Sequence, residues 1–253
     1  MILTSKNNPL IKKTSSLKEK KGRKEHSLFL IEGKKMTQEC LKSGFEIEKV
    51  FVSERFDGDL SVFGESVQLV SEDVLKHLSD EKTPQGIVCC ARIPKKELQA
   101  PTGKCLFLDG IADPGNMGAI IRCANAAGYD EIYLTKECTD PYAPKSVRAS
   151  MSGIFFTKIY IAEREEILKL FTSSQTPLIV ADMDGKNLFH FQAPKKFALA
   201  IGNEGNGISA ATKENAAYTV AIPMRETQES LNAAVSAGIC MYVLSRDELN
   251  NEI

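Results

Sequence analysis

From Ser27 onward, short apolar runs alternate with stretches whose apolar residues recur every three or four positions, which predicts strands alternating with helices. FLIEG (29–33) reads as a strand entering a turn, KKMTQECLKSG (34–44) as a helix closed by Gly44, and EKVFVS (48–53) as a second strand. SVQLVS (66–71) leads to Ser71, the expected cap of a short helix that carries Val74, Leu75 and Leu78 on one face. The apolar strand in TPQGIVCCARIP (83–94) completes a small α/β domain assigned to residues 1–93. PKKELQAPTGK (94–104), rich in lysine and proline and poor in apolar groups, is the predicted linker.

The second domain, 105–253, opens with the apolar strand of KCLFLDGI, ending at Asp109 and Gly110. Pro114 and Gly115 are expected to form a turn before a helix from Met117 to Ala127, closed by Gly128. The pattern then predicts EIYLT (131–135) as a strand, a helix from Pro144 to Met151, and a strand over 154–161. A helix over 164–171 and a strand over 177–185 follow, and after FALAIG another strand ends at Pro223. The last helix is apolar nearly all round from Ala233 to Leu244, so it must be buried on more than one side. Such an alternation indicates a parallel sheet covered on both faces, with ligands at the carboxyl ends of its strands. Asp182, Gly202 and Met224 are expected at those ends.

Between the last two strands lies GNEGNG (202–207), whose glycines let a backbone approach a ligand. No Lys-Ser/Thr follows it as in a P-loop, and its spacing departs from G-x-G-x-x-G. Glu204 would repel a pyrophosphate, so the expected ligand is neutral or cationic.

Composition narrows the classes further. A chain of 253 residues with 43% hydrophobic content can bury a full core, and a net charge of −1 gives no global field for nucleic acid. Residues 1–26 nevertheless hold eight cations, Lys6, Lys12, Lys13, Lys18, Lys20, Lys21, Arg23 and Lys24, against Glu19 and Glu25. Such a cluster is either a solvated helix or the footprint of phosphate binding. Seven scattered cysteines without C-x-x-C, and only His26, His77 and His190, argue against a metal or a disulfide framework. No apolar run approaches a membrane span and the amino end lacks a signal peptide, so a cytoplasmic protein is expected.

Three stretches carry a family resemblance: NMGAIIRCANAAG (116–128), GNEGNGI (202–208), and IPM (222–224) with ESLNAAVSAGI (229–239). Together and in this order they resemble the motifs of the SpoU/TrmH family of SPOUT methyltransferases. The resemblance implies methyl transfer from S-adenosylmethionine to a ribose 2′-oxygen of RNA, a carboxy-terminal domain with a parallel sheet and a deep trefoil knot, and a homodimer. It also implies that Gly202, Ile222, Met224 and Leu231 contact the cofactor, and that Arg122, Asn116, Glu204, Ser230 and Asn232 form the catalytic set. No histidine lies in any motif, so imidazole base catalysis has no candidate. Arg122 is expected to clamp phosphate and stabilise the developing alkoxide, with Glu204 positioning Arg122 or the cationic cofactor.

The first domain resembles the RNA-binding α/β sandwich of certain ribosomal proteins, which favours large-subunit ribosomal RNA over transfer RNA as substrate. Glu32 and Gly33 match the family's IEG turn, and they and Thr83–Gly86 are either plain turn residues or RNA contacts. Arg225–Gln228 departs from the glycine or small residues often seen after IPM, and bears on substrate access. Two other readings stay open: a non-catalytic RNA-binding dimer on a degenerate fold, and a Rossmann-type methyltransferase of small molecules, for which LDGIADPGNMG is a poor glycine motif.

Overall fold

The computed structural model describes residues 1–249. In chain order its first elements are α1 (Pro9–Ser16), α2 (Lys20–His26), β1 (Leu28–Glu32), α3 (Lys34–Lys42), β2 (Ile47–Val52), β3 (Val67–Leu69), α4 (Glu72–Leu78) and β4 (Ile87–Arg92). Then come β5 (Cys105–Asp109), α5 (Pro114–Ala126), β6 (Glu131–Thr135), α6 (Pro144–Ser150), α7 (Gly153–Phe156), β7 (Lys158–Ala162) and α8 (Arg164–Ser173). The last are β8 (Leu178–Asn187), β9 (Ala198–Gly202), α9 (Ala210–Glu214), β10 (Tyr218–Ala221), α10 (Ala233–Leu244) and α11 (Arg246–Leu249).

Two compact units result, and the first joins Met1–Lys95 with Asp140–Phe155. Its sheet runs β1-β4-β2-β3, with β4 antiparallel to both neighbours and β2 parallel to β3. Ile11, Leu17, Leu30, Phe51, Val74, Leu75 and Val88 share one buried cluster on it. Asn8 caps α1 through its side chain with Pro9 at the first turn, and Ser71 caps α4 as expected.

The basic segment is only partly available to a partner. Arg23 is 4% exposed, donates to the carbonyls of Leu17 and Lys18, and pairs with Asp140 at 2.8 Å. Lys18 donates to the carbonyls of His77 and Ser79 at the end of α4, and Lys13 pairs with Glu48. These cations satisfy helix-end carbonyls and two partly buried acids. Lys6, Lys12, Lys20, Lys21 and Lys24 remain exposed.

Segment 140–155 departs from a single boundary at 94–104 because its aromatic residues complete the core of the first unit. Tyr142 meets Phe29 at 5.0 Å between ring centroids, and Phe155 meets Phe45 at 5.5 Å. The strand expected over 154–161 therefore begins late. Ile154 and Phe155 are adjacent and both buried, which the helical turn α7 permits, and the strand β7 starts at Lys158.

The second unit, Lys96–Thr139 with the chain from Phe156 onward, holds a six-stranded sheet in the order β10-β8-β9-β5-β6-β7. Every pairing is parallel, as the sequence pattern predicted. Phe107, Tyr133, Tyr160 and Phe171 pack in one core, Tyr133 stacked on Tyr160 at 5.0 Å. Helix α10 packs on α5, where a Cβ at Gly238 would lie 3.3 Å from Cys123 Sγ. It buries Ala237, Cys240 and Met241, while Val235 and Tyr242 are about half exposed at 50% and 47%.

Two local expectations are corrected here. Helix α5 begins at Pro114 rather than after a Pro-Gly turn, because Asp113 caps it by accepting the Asn116 N–H and Pro114 suits a first helical position. Asp182 lies inside β8, which continues to Asn187 through a register shift against β10, so it is not at the strand end. It pairs there with Lys213 at 2.6 Å.

Candidate functional site

Parallel strands deliver their carboxyl ends to one edge of the sheet, and in the second unit three loops leave that edge: 110–113 after β5, 203–209 after β9, and 222–232 after β10. Strands β5 and β9 are neighbours in register, Asp109 opposite Gly202. The first two loops therefore start side by side.

The loop after β9 folds on itself. Asn203 and Gly207 exchange both backbone hydrogen bonds, at 3.0 and 2.9 Å, and Asn203 Oδ1 accepts the N–H groups of Gly205 and Asn206. The other end of the same side chain, Nδ2, donates to the Gly110 carbonyl at 2.8 Å and ties the loop to its neighbour. Packing of the loop on itself also keeps Gly202 free of a side chain. A Cβ there would stand 2.3 Å from the Gly207 carbonyl carbon, so the space is taken by the loop itself.

Beneath the loop, Asp109 is 2% exposed and collects four donors. Arg164 Nε donates to Oδ1 at 2.8 Å, while Oδ2 accepts the Ser209 N–H at 3.0 Å, the Ser209 hydroxyl at 2.6 Å and the Thr212 hydroxyl at 2.7 Å. Burial raises the carboxyl pKa, but the Ser209 and Thr212 hydroxyls, the Arg164 guanidinium and the Ser209 N–H outweigh it and hold the group below its ordinary value.

Above the loop, Glu204 joins all three motif segments. Its Oε2 accepts the Ala112 N–H at 3.0 Å, and its Oε1 accepts the Asp113 N–H at 3.1 Å and Asn116 Nδ2 at 2.9 Å. Asn116 Oδ1 in turn accepts Asn232 Nδ2 at 2.9 Å, and Asn232 Oδ1 caps α10 by accepting the N–H groups of Ala234 and Val235. Burial pushes the Glu204 carboxyl up, yet donation from Asn116 and from the Ala112 and Asp113 backbone leaves it below the usual carboxylate range. The carboxylate thus sits where α5 begins, its charged form favoured by the partial positive charge of a helix amino end.

Of the expected catalytic set, the structure brings Asn116, Glu204 and Asn232 into one hydrogen-bonded chain. Arg122 is exposed on α5 and makes no hydrogen bond or ion pair among the described residues, so Glu204 orients Asn116 rather than Arg122. Ser230 is exposed, its carbonyl accepting from Gln228 Nε2 at 2.8 Å. Among the expected cofactor contacts, Ile222 and Leu231 are half-buried at the two ends of the loop after β10, and Met224 is 36% exposed within it. The intervening residues, including Arg225–Gln228, are exposed. Asn203, Asp109 and Ser209 were not singled out from sequence. Only Asn203 carried a local signal, an asparagine beside glycines in a turn.

Among the described residues no group of three His, Cys, Asp or Glu side chains could hold a metal, and no helix is long and apolar enough to cross a membrane.

A family described as the SpoU rRNA Methylase family matches residues 103–242, and an MRM3-like substrate binding domain matches residues 8–89. The chain is similar to the Bacillus subtilis 23S rRNA (guanosine(2553)-2′-O)-methyltransferase RlmP, 31% identical over 252 residues that cover 96% of this chain and 98% of that one. It also resembles the crystal structure of an AdoMet-bound rRNA methyltransferase from Sinorhizobium meliloti, with a TM-score of 0.90 at 28% identity over 98% of each chain. An RNA 2′-O ribose methyltransferase structure matches with a TM-score of 0.82 at 32% identity, covering 98% of this chain and 100% of that one.

Proposed function

The chain belongs to the SpoU rRNA methylase family, and we propose that it transfers a methyl group from S-adenosylmethionine to a ribose 2′-oxygen of large-subunit ribosomal RNA. The observation that carries the reading is the Glu204–Asn116–Asn232 chain, which unites three motif segments at the carboxyl edge of a parallel sheet. The named RlmP relative acts on 23S rRNA, which favours that substrate over transfer RNA.

The residues at this edge suit the cofactor. Half-buried Ile222 and Leu231 offer apolar surface for a nucleoside ring, and the exposed backbone around them offers amides and carbonyls for its polar edges. Bound S-adenosylmethionine supplies a methyl group already activated by a positive sulfur. The chain's own work is to hold the ribose and manage its hydroxyl. Gly202, Ile222, Met224 and Leu231 form the cofactor wall. Arg122 clamps an RNA phosphate and stabilises the alkoxide as it develops. Asn116 and Asn232, each fixed by the other, orient the sugar by hydrogen bonds, and Ser230 contributes its hydroxyl.

Residues 1–93 are assigned to RNA docking together with 140–155, which complete the first unit, and the rest of 105–253 to catalysis. The five exposed lysines of the amino-terminal segment supply the phosphate contacts. The trefoil knot of the SPOUT fold is carried over with the family. A cytoplasmic homodimer completes the reading, with Val235 and Tyr242 of α10 covered by a second copy. Sedimentation equilibrium is expected to return twice the 27.8 kDa chain mass, and a monomer at micromolar concentration would remove the dimer.

The activity itself is tested by offering the purified chain labelled S-adenosylmethionine with 23S rRNA or with transfer RNA, followed by mapping of the methylated ribose. Label on one ribose of 23S rRNA is the expected result. Label on transfer RNA alone would reverse the substrate, and no cofactor binding by calorimetry would leave a non-catalytic RNA-binding protein.

A further inference from the structure

Two segments singled out in the sequence have no part in the methyl-transfer site: Glu32–Gly33, and Gln85 of the TPQG turn. In the structure of the first unit they meet at one cavity of about 250 Å³. We propose that this cavity takes a single unstacked guanine base of the RNA, a proposal that rests on RNA being the substrate.

The walls suit a flat aromatic ring. Met36, Val147 and Met151 line the cavity, and thioether sulfurs pack favourably against aromatic systems. Its volume is below that of a drug-sized site and fits one base rather than a longer segment. RNA is read in this way, through bases splayed out of the stack and bonded on their Watson–Crick edges.

The polar groups are fixed from behind. Glu32 accepts the Asp80 N–H at 3.0 Å and a short hydrogen bond from the Ser79 hydroxyl, and its side chain is only 9% exposed. Arg148 pairs with Asp80 at 3.3 Å but stands 3.9 Å from Glu32, too far for a hydrogen bond. Each Glu32 oxygen therefore keeps accepting capacity. Gln85 Oε1 accepts the Lys34 N–H at 3.2 Å, which leaves its Nε2 as the donor. Gly33 makes this possible, since its φ is +88° and a Cβ would lie 3.0 Å from Gln85 Oε1.

A carboxylate that accepts and an amide that donates select the base. Guanine presents two N–H groups beside a carbonyl on one edge. Uracil offers one ring N–H, and adenine lacks a carbonyl. Cytosine has no ring N–H on that edge.

A second observation marks the same place. Met151 holds φ +51° and ψ −132°, a conformation rare for a residue with a side chain, and it remains 39% exposed at the cavity. Local strain of this kind concentrates at ligand sites.

The test uses the full chain with 13C-labelled methionine methyls, titrated with GMP, AMP, CMP and UMP. GMP is expected to move the Met36 and Met151 resonances, leaving Met117, Met183, Met224 and Met241 in place, while the other nucleotides need at least about fivefold more. Gln85→Ala is expected to weaken the GMP response about fivefold at an unchanged melting temperature. Met151→Gly separates a lost contact from a lost fold: it relieves the left-handed backbone, so stability holds while the Met36 response to GMP weakens. No movement at Met36 and Met151 with any nucleotide, equal movement with all four, or a GMP response unaltered in both variants overturns the proposal. Calorimetry with S-adenosylmethionine on the same samples keeps the two readings apart. Cofactor binding without a GMP response sinks the pocket alone, and a GMP response without cofactor binding counts against the methyltransferase assignment.

Discussion

Arg122→Ala is expected to lower ribose methylation about 10²- to 10³-fold, the usual cost of removing one preorganised donor from a developing anion. Cofactor affinity and melting temperature should stay where they were. The side chain is exposed on α5 and touches no hydrogen-bonding partner among the described residues, and such surface changes shift stability by no more than about 0.5 kcal/mol. Single-turnover rates with 23S rRNA, set beside calorimetry and thermal melts, make the measurement. Arg122→Lys keeps the charge but loses the fork that grips phosphate, so it should recover only part of the rate. A rise in KM alone would confine Arg122 to binding RNA, whereas a fall in kcat places it at the reacting oxygen. Full methylation by the alanine variant would take Arg122 out of the mechanism.

The largest expected loss of stability belongs to Asp109→Ala. The substitution removes a 2% exposed carboxylate and leaves Arg164 with Ser209 and Thr212 facing an empty place. Breaking a buried pair from one side costs about 3–5 kcal/mol, out of a total of about 5–15 kcal/mol for a folded domain. Chemical denaturation measures it directly, and a loss under about 1 kcal/mol would show that the network is replaced by water. Acid gives an independent check. Because the folded carboxyl titrates below its unfolded value of about 3.9, its stabilisation is complete above that pH and is lost as pH falls through the lower folded value. The parent should therefore lose stability below about pH 4 more steeply than Asp109→Ala.

Much of this architecture was legible in the sequence because its signals are local. Apolar runs such as LFLD and ALAI are strands wherever they sit in a parallel sheet, and Ser71 declares a helix start within three residues. Motif order likewise pointed to Asn116, Glu204 and Asn232 before any contact between them was visible. What stayed hidden depends on partners far away in the chain. Nothing near Asp109 announces Ser209, 100 residues on. Arg23 reads as one more surface cation until Asp140, 117 residues away, buries it. The same distance effect explains segment 140–155. Tyr142 and Phe155 look like ordinary core aromatics of their own domain, and only Phe29 and Phe45 reveal which core they fill. The Gly202 assignment illustrates a further limit: sequence identified a position that excludes a side chain, but not whether a ligand or the protein occupies the space.

The bond between Asn116 and Asn232 spans 116 residues, and the Asn232 side that completes it also starts α10. During translation, a growing polypeptide that has already emerged through β9 still lacks the last link of the chain. The working arrangement is therefore withheld until synthesis is almost finished, and a product cut short before Ile222 would carry two of the three motifs and lack Asn232.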